Sequence, residues 1–76
     1  MINEFDVYQA FITIYEGADW HDSFAANSTL DTFRVENPLH PLSDTIDRFI
    51  EAMNGDDYRT VQRIVEDAYD YVLWCP

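Results

Sequence analysis

The feature that most constrains this chain is a pair of apolar stripes at helical spacing on either side of Gly55. Ile46, Phe49, Ile50 and Met53 precede the glycine; Tyr58, Val61, Ile64, Val65, Ala68 and Val72 follow it. Recurrence every three or four residues marks an α-helix with one buried face. Ser43 reads as the cap of a helix from about Asp44 to Asn54, with Asp47 as a weak capping-box partner and Gly55 as its stop. Asp56 reads as the cap of a last helix, from about Asp57 to Leu73. A join this short makes the two helices pack antiparallel, with Ile50, Met53, Val61 and Ile64 between them.

Upstream, Asn3 can cap a helix from about Glu4 to Glu16 that stops at Gly17. Glu4 and Asp6 fall in its first turn, where negative charge suits the helix dipole. Phe5, Tyr8, Phe11, Ile12 and Tyr15 lie at the spacing of a buried stripe, and Val7, Ala10 and Ile14 widen it. Between 18 and 42 the pattern is weaker. Trp20, Phe24, Leu30, Phe33 and Val35 are apolar anchors among polar residues, and Asp19 and Ser28 can each act as a cap. One or two short helices are expected, near 19–26 and 29–36. Pro38 and Pro41 then predict an extended connector from Asn37 to Leu42. The expectation is an all-α fold, a small single-domain bundle of four or five helices with a C-terminal helical hairpin.

Charge sets what such a bundle can meet. The 76 residues carry 15 acidic and four basic side chains, for a net charge of -11. All four basic residues are arginines, and no lysine is present. With 47% apolar and 16% aromatic residues the chain can still build a core, so the acids belong on its surface. Their mutual repulsion weakens a small fold, which suggests that the charge serves a partner. Nucleic acid and anionic lipid would be repelled, and basic protein surfaces attracted. No basic leader precedes an apolar stretch, and no apolar run reaches membrane length, so a cytoplasmic protein without membrane contact is expected. A domain of this size is marginal unless aromatic packing or oligomerisation supports it, and a homodimer stays open.

The acids are patterned. Asp44, Asp47 and Glu51 fall three and four apart on one helix face, a line of roughly 10 Å at about 1.5 Å per residue. Glu66, Asp67 and Asp70 repeat the arrangement on the last helix. Arg48 can relieve Asp44, and Arg63 can relieve Glu66 or Asp67. Carboxylates one turn apart approach the roughly 6 to 7 Å between adjacent phosphates of a nucleic-acid strand, about two rises of its backbone. The lines therefore read as an imitation of a phosphate track, or as an ordinary solvated face such as high-salt habitats favour. Absence of lysine fits both. Tyr69, Tyr71 and Trp74 cannot all face inward beside Val65, Ala68 and Val72, so aromatic surface is expected next to Glu66 and Asp70. Such a surface suits an arginine-rich partner through ion pairs and cation–π contact.

Signs of catalysis are weak. His21, in Asp19-Trp20-His21-Asp22, cannot easily converge with its neighbours on one metal ion, and reads as a surface or capping residue. His40, between Leu39 and Pro41, reads as structural. Cys75 excludes an intramolecular disulfide by being the sole cysteine, and the end of the chain is a poor place for a nucleophile. Two glycines are too few for a phosphate-binding loop. No enzyme, cofactor or metal site is expected.

In size, acidity and helical content the chain resembles the small inhibitors carried by phages and plasmids, including DNA-mimic antirestriction and anti-CRISPR proteins. The likeness is one of class; it covers no alignable residues and transfers no site. It implies a protein that blocks a nucleic-acid-binding machine by occupying its basic groove. An acidic adaptor or oligomerisation module that binds through exposed aromatics is the alternative, and a halophilic structural domain is a third.

Overall fold

The computed structural model describes residues 2–17 and 19–74, with side chains as far as residue 70. Four helices follow one another: α1 Glu4–Tyr15, α2 Trp20–Glu36, α3 Pro41–Asn54 and α4 Tyr58–Trp74. No strand occurs among the described residues. α1 packs between α2 and α4, α3 packs on α4, and α2 packs on α3 less closely than these neighbours do. The radius of gyration, 11.3 Å, is that of a compact chain of this length, about 11 Å.

α1 starts as its sequence predicts. The Asn3 side chain accepts from the Asp6 N–H at 2.9 Å, and the Asp6 carboxylate accepts from the Asn3 N–H at 3.1 Å. Each group thus satisfies a backbone donor that the helix leaves open. Gly17 closes the helix at φ +72, a left-handed conformation that a Cβ would oppose.

α2 departs from expectation. A single helix runs from Trp20 to Glu36 instead of two short ones, capped by Asp19, which accepts from the Asp22 N–H at 3.0 Å. Neither glycine nor proline interrupts it. Two of its mid-helix polar side chains bond within it: Asn27 donates to the Ser23 carbonyl and Thr29 to the Ala25 carbonyl. Ser28 caps nothing. Ala26, Leu30 and Phe33 are the buried face, while Trp20, Phe24 and Val35, the other apolar anchors of the sequence, are exposed.

The start of α3 also differs. Pro41 occupies the first turn, where its missing N–H is no loss, so the connector ends at His40. His40 is the cap: its Nδ1 accepts from the Leu42 N–H at 3.0 Å. The other ring nitrogen, Nε2, then carries the proton and faces Glu4 Oε1 of α1 at 3.3 Å. Ser43, expected as the cap, is buried inside the first turn and donates to the Asn37 carbonyl at 2.6 Å.

The α3–α4 join is a helix-ending motif with two nested hydrogen bonds. Asp57 N–H donates to Ala52 O at 2.9 Å, and Asp56 N–H donates to Met53 O at 3.2 Å. The left-handed residue is Asp56, at φ +56; Gly55 has an ordinary negative φ of -92. Asp57, one residue later than expected, caps α4, accepting from the Thr60 N–H at 3.2 Å and the Thr60 hydroxyl at 2.6 Å. These bonds, the hydroxyl's foremost, hold the Asp57 carboxyl below its usual range.

The core joins all four helices. Val7 and Phe11, Leu30, Ile46 and Phe49, and Val61 are fully buried. Phe11 and Phe49 meet with ring centroids 4.5 Å apart, which couples α1 to α3 across the bundle. Val61 and Ile64 are buried as expected, whereas Ile50 and Met53 are only partly so, at the edge of the core. On α1 the buried stripe is Val7, Ala10 and Phe11; Phe5 and Tyr15 are exposed, and Tyr58 on α4 likewise.

Candidate functional site

The two acidic lines have different surroundings. On α3, Asp44, Asp47 and Glu51 all point away from the core, but two are engaged. Asp44 has Arg48 one turn on, at 3.8 Å. Asp47 is taken by Arg34, which spans α2 and α3 and also binds Asp31 at 2.9 Å. Asp47 is therefore no capping-box partner for α3. Its hydrogen bond is the main reason the Arg34 guanidinium is held still more firmly in its charged form. Glu51 is exposed and makes no ion pair among the described residues.

On α4, Glu66, Asp67 and Asp70 are all exposed, and none makes an ion pair among the described residues. Arg63, expected to relieve Glu66 or Asp67, does neither; it lies with Arg59, Thr60, Gln62 and Glu66 along one shallow depression. The helix is thus arginine-bearing in its first half and acidic in its second.

The three acids face two seams. Asp67 borders the crevice between α4 and the start of α3, beside Pro41, Leu42 and Thr45. Glu66 and Asp70, one turn apart, border the seam with α1. There Tyr69, 47% exposed, packs against Tyr8 with ring centroids 5.6 Å apart and planes tilted by 52°. Tyr8, Val65, Glu66, Tyr69 and Asp70 enclose an open groove of about 470 Å³. Tyr71 and Trp74, expected beside Tyr69, have side chains outside the described residues.

Two surfaces escaped the sequence reading. The periodicity assigns Tyr8 to the apolar stripe of α1, yet it shares the groove with Tyr69. On α2, Trp20 and Phe24 are 73% and 65% exposed, with ring centroids 5.8 Å apart. His21 packs edge-on against Trp20 and is exposed. The available signal was that α1 and α2 each carry more apolar residues than one face can bury. A second depression, between α1 and α2, is larger but has no aromatic wall; Ala10, Ala25 and Ala26 contribute to its lining.

Among the described residues, no group of three or more His, Cys, Asp or Glu is placed to hold a metal ion. No helix there is long and apolar enough to cross a membrane. No protein-family model, curated protein or solved structure matches the chain.

Proposed function

We propose that this protein is a stoichiometric inhibitor that docks on a basic, nucleic-acid-binding surface of its target. It acts there as a DNA or RNA mimic, in the manner of antirestriction and anti-CRISPR proteins of phages and mobile elements, in the host cytoplasm. The observation that carries the reading is the outward face of α4. Its three exposed carboxylates have no ion-pair partner among the described residues, in a chain of net charge -11. The α3 line contributes less, since Arg34 and Arg48 already occupy Asp47 and Asp44. Affinity capture from host lysate at low salt, followed by competition with duplex DNA, tests the reading. The captured partner is expected to be released by DNA and by added salt. A partner indifferent to both sinks it.

The exposed pair Trp20 and Phe24 favours a second reading, an acidic adaptor that binds through aromatic anchors. Its binding would change little with salt.

A further inference from the structure

The groove between α1 and α4 combines aromatic faces with carboxylates at one place. Tyr8 and Tyr69 present two rings 5.6 Å apart, and the pull of a ring on a cation extends to about 6 Å. Glu66 and Asp70 stand on the same rim, one helical turn apart. Among the described residues no basic side chain lines the groove, and Val65 contributes an apolar wall. Arg59 and Arg63, further up α4, form no ion pair with Glu66 among the described residues.

We propose that this groove reads arginine: it seats a guanidinium-bearing segment of a basic protein, with Tyr8 and Tyr69 as the stacking wall and Glu66 and Asp70 as the carboxylate rim. The proposal rests on the basic-partner reading and narrows it from positive charge in general to arginine. A planar, weakly hydrated guanidinium stacks on an aromatic ring while its edge donates to carboxylates. A lysine ammonium is compact and strongly hydrated, and gains less from the rings. A second copy of this chain is a poor occupant, because each copy brings a net charge of -11.

The test uses the full chain and two labelled helical peptides of equal charge, one arginine-rich and one with lysine at every arginine position. Fluorescence anisotropy at low salt is expected to show about five- to tenfold tighter binding of the arginine peptide. Tyr69→Leu keeps apolar bulk but removes the ring, and should bring that ratio close to one. Tyr69→Phe keeps the ring and should preserve it. Circular dichroism of each variant confirms that it folds. Glu66→Gln with Asp70→Asn should weaken both peptides and flatten their salt dependence. Equal binding of the two peptides, or an arginine preference that survives Tyr69→Leu, overturns the groove and leaves the acidic face of α4 standing. Binding of neither peptide overturns both. Concentration-dependent self-association that Tyr69→Leu abolishes would instead assign the groove to a second copy and overturn the proposal.

Discussion

Arg34 of α2 holds Asp47 of α3, across the seam between those two helices. The same guanidinium binds Asp31 on its own helix, while its Nε is buried with no hydrogen-bond partner among the described residues. One of the four arginines is thereby committed to joining two helices. Partial exposure limits what this pair contributes. Arg34→Ala and Asp47→Asn should each lower stability by up to about 1 kcal/mol in urea denaturation, and the double variant should cost less than their sum. Full additivity would show that the pair is not coupled.

The ring contact between Phe11 and Phe49 should matter far more. Truncating either to alanine should cost about 3–5 kcal/mol. A chain of 76 residues has roughly 4–11 kcal/mol in all, at about 0.05–0.15 per residue, so these variants approach unfolding. Ile64→Ala should cost about 2–5 kcal/mol, and Ile46→Val about 0.5–1.5. A cost below about 1 kcal/mol for Ile64→Ala would place that side chain at the surface, against the register found here.

Gly17 and Asp56, both left-handed, predict opposite responses. Gly17→Ala forces a Cβ into a positive φ and should destabilise by roughly 1 kcal/mol, whereas Asp56→Gly relieves a comparable strain. Thermal melts of both variants check the pair. A stabilising Gly17→Ala would contradict the αL ending of α1.

Salt and acid should firm the fold before acid weakens it. Screening the carboxylates raises the melting temperature as salt increases from low values, and a moderate fall in pH acts in the same direction. Asp57 then sets a lower limit. Its folded pKa is depressed, so its contribution is complete above the unfolded value, about 3.9, and is lost as pH falls through the folded value. Asp57→Ala should therefore be weaker than the parent at neutral pH, and the difference should shrink in strong acid. A difference independent of pH would exclude the ionised cap.

Neutralising the α4 line should separate binding from folding. The triple variant Glu66→Gln, Asp67→Asn, Asp70→Asn is expected to lose the captured partner while melting at the same or a higher temperature. The corresponding α3 triple, at Asp44, Asp47 and Glu51, should retain more binding and lose stability, because it breaks the Arg34–Asp47 pair. Single charge reversals should slow association more than they speed release. Parental affinity in both triples would move attention to Trp20 and Phe24.

The C-terminal hairpin was legible because Ile46 and Phe49, and Val61 and Ile64, lie on single apolar faces opposed by polar residues. α1 and α2 were harder. Phe5, Tyr8, Ile12 and Tyr15 recur at helical spacing just as Val7, Ala10 and Phe11 do, and periodicity alone cannot say which stripe turns inward. In α2, Asp19 and Ser28 both looked like caps, but only Asp19 has an open N–H to receive. The acids themselves were legible as exposed. Their pairing was not, because Arg34 reaches Asp47 only once α2 and α3 are side by side.

Tyr8 belongs to the first helix and Tyr69 to the last, so the groove they form spans nearly the whole length of the chain. It has no existence in any fragment and none in a bundle whose first helix has swung away. An occupant would act as a clasp, favouring the closed molecule over every opened form by its own binding free energy. Amide protons of α1 and α4 would then slow their exchange together on binding, although the occupant touches only one turn of each.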